Sequence, residues 1–241
     1  LMNLALAQHL AGDYLGAEAS YVRVIGLVEA SGRLTTPRLA RAEAGLAATY
    51  YAGKRYDLAA EHFDRAVMLS RRSEGLFNEA QLPLLQKYAN SLTEIGRLND
   101  ALKVQRYSLR VVERKHGATG VRYAAQLESV GRWYARVGSY DASRAALRRA
   151  IDIVETASGV NAPELIGPLT ALAECDRRQL LDSSQRDLAS ADDMRRSMFH
   201  DPMAPLGPAL SASTINSEGQ KALERAVAIA GSRPDPSPVQ L

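Results

Sequence analysis

A tight turn recurs along this sequence at a constant interval. Gly12-Asp-Tyr14, Gly53-Lys-Arg-Tyr56, Gly96-Arg-Leu98 and Gly138-Ser-Tyr140 place their Tyr or Leu at positions 14, 56, 98 and 140, a step of 42 residues each time. On either side of the last turn apolar residues keep 3- and 4-residue spacing, as Leu127, Val130, Tyr134 and Val137 before it and Ala146, Leu147, Ala150, Ile151 and Val154 after it. That is the pattern of two amphipathic helices meeting at a turn. A lone helical hairpin cannot bury its apolar face, whereas stacked copies can. A fixed period built from one hairpin therefore predicts an all-α chain, an α-solenoid of antiparallel helical hairpins.

The phase divides the chain. Repeats are expected over 1–32, 36–73, 78–117, 120–157 and, partly degenerate, 161–199, with the clear pattern confined to 1–182. Residues 1–11 align with 43–53, so the sequence is expected to open inside a first helix and to be a piece of a longer protein. Thr36-Pro37 supplies an N-cap and a proline at the first helical position. Asn161-Ala-Pro163-Glu164 repeats those signals with capping-box spacing. The fifth repeat then decays, with Leu180 where Gly138 predicts glycine, Asp182 where Tyr140 predicts tyrosine and Asp192 where Ala150 predicts alanine. Its second helix is expected over about 183–199 and is polar. Residues 200–213 hold three prolines and a glycine and read as a surface loop. Ser217-x-x-Gln220 reads as a capping box launching a helix over 214–231, taken as part of a degenerate sixth repeat, and 232–241 reads as a linker into a further repeat.

The central unit resembles the tetratricopeptide repeat (TPR). Leu127, Val130, Gly131 and Tyr134 fall on that family's first-helix pattern, and Gly138, Tyr140, Leu147 and Ala150 on its turn and second helix. Ser143 departs from the usual alanine. The second repeat keeps Ala47, Tyr50, Tyr56, Ala59, Phe63 and Ala66. The 42-residue period is similar to that of the kinesin-light-chain-type subclass, whose helices are longer than those of the 34-residue repeat. The resemblance implies a right-handed superhelix with first helices lining a concave groove and second helices outside. The run is also similar to helical-repeat regions of longer bacterial envelope or signalling proteins. A bacterial source is therefore expected, with the compartment open between cytoplasm and periplasm.

Composition narrows the function classes. No run reaches the roughly 18 apolar residues that span a bilayer. The lone cysteine, Cys175, excludes an intramolecular disulfide framework and a thiolate zinc site. The histidines at 9, 62, 116 and 200 lie in different repeats without ligand spacing, and every glycine cluster is a repeat turn. No catalytic residue, metal site or cofactor is expected, and function must then be argued from a surface. Net charge is only +3, yet residues 97–150 hold twelve Lys or Arg against four acids, a local +8. Arginine outnumbers lysine 25 to 5, which fits codon bias in a GC-rich genome as readily as chemistry.

Carried over residue by residue, the family's groove positions are His9; Arg41, Ala44, Ala48 and Tyr51; Gln86, Asn90, Thr93 and Glu94; and Ala125, Glu128, Arg132 and Arg136. Arg41, Tyr51, Gln86, Asn90, Glu94, Glu128, Arg132 and Arg136 are the candidate partner-binding residues. Arg132 and Arg136, at i and i+4, either grip an acidic side chain or phosphate, or stay solvated with Arg132 paired to Glu128. Tyr51 is either an exposed anchor or packed into a neighbouring helix. Arg106, Arg110 and Arg114 read as a solubilising stripe, and Trp133 as core filler. The function expected is a non-catalytic protein–protein interaction module holding a partner peptide or helix, acidic in character, in the groove. The second reading is a structural spacer or self-association domain within a larger protein. Nucleic acid is not an expected partner, and salt-sensitive binding of an anionic polymer through the +8 stretch is a third, weaker reading.

Overall fold

The computed structural model describes residues 1–32, 35–198 and 213–232. The loop expected over 200–213 lies outside the described residues except for Ser213, and so does 233–241 of the expected linker. The described residues form ten α-helices, with two short 3-10 turns and no strand among them. They fall into two compact units, residues 1–117 and 118–241.

In the first unit the helices are α1 (Met2–Leu10), α2 (Tyr14–Ala30), α3 (Pro37–Ala52), α4 (Tyr56–Glu74), α5 (Leu82–Glu94) and α6 (Leu98–His116). Each packs on the next in chain order, from α1 on α2 to α5 on α6, and α3 also touches both α1 and α5. Its core runs through Tyr21, Val24, Leu46, Tyr50 and Phe63, then Val67, Leu85 and Val111. In the second unit α7 (Val121–Arg136) packs on α8 (Tyr140–Ser158), α8 on α9 (Ile166–Met198), and α10 (Ser213–Gly231) on α9. Leu127, Val130, Trp133, Leu147, Val154 and Leu165 are buried there, so Trp133 is core.

Local chemistry explains the hairpins. Thr36 Oγ1 accepts the Leu39 N–H at 3.3 Å, with Pro37 opening the helix. Each hairpin turn closes with the same backbone bond, from Asp13, Arg55, Arg97 and Ser139 N–H to the carbonyl five residues earlier, at 2.8–2.9 Å. This bond requires a left-handed residue just before its donor. The positions are Gly12, Lys54, Gly96 and Gly138, with φ of 80°, 58°, 75° and 77°. In the second repeat glycine stands one residue early. Gly53 has an ordinary φ of −78° and Lys54 takes the left-handed conformation.

Packed helices approach closely at glycine, within a hairpin at Gly131 and between neighbouring hairpins at Gly45. A Cβ on Gly131 would lie 2.7 Å from Leu147 Cγ, and one on Gly45 would lie 2.4 Å from the Tyr21 ring. Ser143, which departs from the family's alanine, is fully buried and donates its hydroxyl to Gly131 O at 2.8 Å. It is small enough for the crossing and satisfied within it.

The far end corrects the expected boundaries. No break occurs near 182. α9 continues for 33 residues, through the expected start of a second helix at 183, and α10 packs against α9. Leu180 explains why: a left-handed leucine costs about 1–2 kcal/mol, and the Arg, Gln and Leu residues around it are good helix formers. A Cβ on Gly219 of α10 would lie 3.4 Å from Ala173 Cα, so this glycine forms the close crossing of the fifth hairpin. Neither Asn161 nor Ser217 stands at the N-cap position expected of it. Ala162, with no side-chain cap, precedes the 3-10 turn Pro163–Leu165, and Ser217 lies inside α10.

Two substitutions probe the turn. Gly138→Ala is expected to lower unfolding free energy by about 1 kcal/mol, because its φ of 77° strains any Cβ. Lys54→Gly is expected not to lower it, since relief of left-handed strain offsets glycine's unfolded-state entropy. Urea unfolding of both variants beside the parent checks the pair.

Candidate functional site

Each unit has its own candidate surface where first helices lie side by side, α1, α3 and α5 in the first unit and α7 and α9 in the second. In the first unit, His9 Nδ1 lies 3.1 Å from Thr49 Oγ1, joining α1 to α3. Burial, with Lys87 adding to it, lowers the His9 pKa from its ordinary 6.5, so the ring is neutral at pH 7. Arg41 is exposed and donates Nε to Pro37 O at 3.3 Å, which ties it to its own helix. Tyr51 is half-buried with its ring edge-on to Tyr56 at 5.3 Å, so it serves the α3–α4 packing and offers only part of its surface. On α5 the Gln86 amide donates to Asn90 Oδ1 at 3.3 Å, and Glu94 is exposed at the helix end. These side chains share a face but do not converge on one point.

Convergence is greater in the second unit. Arg132, Arg136 and Arg178 rim a depression of about 200 Å³ between α7 and α9, floored by Ala135 and Ala171 and bordered by Glu174. Small floor residues make the depression, and arginines one helical turn apart on α7 supply its rim. Arg132 donates Nε and Nη2 to Glu128 Oε1 at 3.0 and 2.9 Å and also reaches Gly167 O at 3.1 Å. The Arg132–Glu128 pairing weighed from the sequence is thus present, with a second anchor 35 residues on. Arg177 and Arg178 both donate to Glu174, and the two guanidiniums hold its carboxyl down at about 2. The carboxylate is therefore ionised throughout the physiological range.

Sequence reasoning does not mark Glu174 or Arg178, because the fifth repeat reads as decaying. Their placement on the 42-residue phase with Arg132 and Arg136 is the available signal: Arg132 and Glu174 are one period apart, as are Arg136 and Arg178. It also misses a buried charge in the first unit. Glu43 is fully buried and meets His62 Nδ1 at 2.6 Å and Arg65 Nη2 at 3.2 Å. Nothing in one helix's pattern announces a partner 19 residues away.

Among the described residues, no three His, Cys, Asp or Glu are grouped to hold a metal ion, and no helix is long and apolar enough to cross a membrane. Cys175 is fully buried, which pushes its thiol pKa up and keeps it protonated.

No protein-family profile and no curated protein matches the chain. Solved structures do. A kinesin light chain from Podosopora anserina with nearly identical TPR-like repeats superposes with a TM-score of 0.68 at 15% identity, over 97% of this chain and 95% of that one. A single-substitution variant of that protein gives 0.67 at 15% identity, over 95% and 92%. BtubC (BKLC) from P. vanneervenii gives 0.59 at 17% identity, over 99% of this chain and 83% of that one. At these identities the likeness is one of fold, and the fold is that of a TPR-like helical-repeat solenoid.

The Glu174 carboxyl is expected to titrate near pH 2, and near its ordinary 4.5 in an Arg177→Ala/Arg178→Ala variant. Because folding depresses this pKa, the stabilisation is complete above about pH 4.5 and is lost as pH falls toward 2. Carboxyl carbon NMR shifts recorded against pH measure both midpoints.

Proposed function

From this fold we propose that the chain is a non-catalytic protein-interaction module, and that its first-helix face holds an acidic peptide or helix of a partner protein. The observation that carries the reading is the alanine-floored depression of the second unit, rimmed by Arg132, Arg136 and Arg178. Arginine's planar fork suits carboxylates, and two arginines one turn apart suit an acidic side chain arriving end-on. The existing pairs do not oppose this. An exposed ion pair such as Arg132–Glu128 is worth about 0–1 kcal/mol, so exchanging its carboxylate costs little. In the first unit, Arg41, Tyr51, Gln86, Asn90 and Glu94 give that unit's own first-helix face a polar and aromatic surface.

A second reading has its own support. α10 leaves Leu223 and Val227 exposed, at 49% and 63%, and Leu223 borders a recess between α9 and α10. A spacer or self-associating role would cover them. It predicts concentration-dependent sedimentation that Leu223→Glu/Val227→Glu abolishes.

The interaction reading is tested with immobilised protein in a lysate of the source cell, beside an Arg132→Glu/Arg136→Glu variant whose fold is checked by circular dichroism. A partner captured by the parent should bind the variant at least about tenfold more weakly, the loss expected when a close charge pair becomes a repulsion. Equal capture would remove the second-unit depression from the account.

A further inference from the structure

The first unit carries a second recessed surface on the opposite side of α5 from Gln86, Asn90 and Glu94. Leu85 and Tyr88 lie about half a turn of helix away from those residues. The two belong to a groove of about 580 Å³ between α4 and α6. Its floor is formed by Val67, Leu85 and the Tyr107 ring, all nearly buried, with half-buried Val104 beside them. Its rim is cationic, with Arg71, Arg97, Lys103 and Arg110 against Asp64 and Asp100, a net +2.

The cations are not equivalent. Asp100 is already shared, accepting from Arg97 at 2.7 Å and from Lys103 at 2.8 Å. Asp64 accepts from the Tyr88 hydroxyl at 3.2 Å. Arg71 sits over the Tyr107 ring, its Cζ 3.9 Å from the centroid, and Arg110 Cζ lies 5.9 Å from the same centroid. Neither arginine has an ion-pair partner among the described residues, and Arg71 Nε is buried without a hydrogen-bond acceptor. A buried donor left unpaired is rare in folded proteins. Tyr107 itself is held by its hydroxyl, which donates to Leu76 O and accepts from Gln81 Nε2 at 3.1 Å, so the ring beneath the Arg71 guanidinium is fixed.

We propose that this groove is a second recognition site, for an acidic peptide segment of a partner protein, in which one Asp or Glu carboxylate bridges Arg71 and Arg110. Charge complementarity selects the occupant. The unpartnered Nε needs an acceptor, two guanidiniums without ion-pair partners beside one ring suit a carboxylate's paired oxygens, and the net positive rim disfavours a basic segment. The volume and apolar floor suit a peptide, whose neighbouring leucine or valine would rest on Leu85 and Val104. Arg110, which the sequence pattern assigns to a solubilising stripe, becomes a binding residue.

The test uses a fluorescein-labelled decapeptide of Glu and Leu, a Gln-for-Glu control peptide and inorganic phosphate as competitor. Anisotropy is read on protein carrying Arg132→Gln/Arg136→Gln, which silences the first-helix face and keeps the two sites distinguishable. The Glu peptide is expected to bind about tenfold more tightly than the control and to weaken as salt rises from about 50 to about 500 mM. Adding Arg71→Gln or the exposed Arg110→Gln should each cost about tenfold, and Arg71→Lys, which keeps the charge but loses the fork, several-fold. Circular dichroism confirms the fold of each variant. Equal binding of the two peptides, binding unchanged by Arg110→Gln, or displacement by millimolar phosphate of a peptide that binds no better than phosphate itself would overturn the proposal.

Discussion

Both units depend on how closely packed helices approach, within a hairpin at Gly131 and between successive hairpins at Gly45. Leu147 sits against bare backbone at Gly131, and the Tyr21 ring does the same at Gly45, with no room in either place for even one more carbon. A gap there would forfeit both the dispersion contacts and the apolar area buried by the facing side chains. The turn that precedes the second helix then decides whether there is a hairpin at all. Where the left-handed position is Gly or a tolerant Lys the chain reverses, and at Leu180 it does not. Close crossing and reversal are separate requirements, met by different residues a few positions apart. α9 and α10 keep the first without the second: Gly219 approaches Ala173 although the chain reaches it after an unbroken 33-residue helix.

This separation sets how legible the fold is. The 42-residue phase can be read because it rests on local apolar spacing and turn residues, and the helices through Ser158 lie close to where that spacing puts them. Sequence reasoning errs where two signals are treated as one. Gly53 reads as the turn glycine because it is a glycine, but phase points to position 54, which a lysine occupies. Loss of the glycine at 180 reads as decay of the second helix, when its physical consequence is persistence of the first. The surface is less legible than the fold. Helical spacing places Arg132 and Arg136 on one face, yet Arg132's bond to Gly167 O and Arg148's pair with Glu218, 70 residues away, depend on how helices stack.

The same point changes the meaning of the basic stretch. Counted along the chain, residues 97–150 carry +8. In three dimensions Arg97, Lys103, Lys115, Arg132, Arg144 and Arg148 each meet a carboxylate, and Glu79, Asp176 and Glu218 come from outside the stretch to do so. Much of the apparent excess is neutralised by neighbouring hairpins, which weakens the case for a diffuse polyanion-binding face. The positive potential that remains is local, set by individual arginines.

Among those arginines, pairing state matters more than exposure. An incoming carboxylate at Arg132 would find one already in place, so the gain would be the difference between two similar surface contacts. Arg71 differs in two respects. Its Nε has lost its water without gaining an acceptor, and the Tyr107 ring holds the guanidinium in one orientation. The cost of desolvating and ordering it falls on folding, so a ligand that bonds it recovers a larger share of the charge-assisted hydrogen bond. The first-helix face and the α4–α6 groove would then differ in kind. On these proposals the former would trade partners readily and be tuned by how many acidic groups a segment presents, whereas the latter would depend on a single carboxylate placed between the ring-held Arg71 and the exposed Arg110.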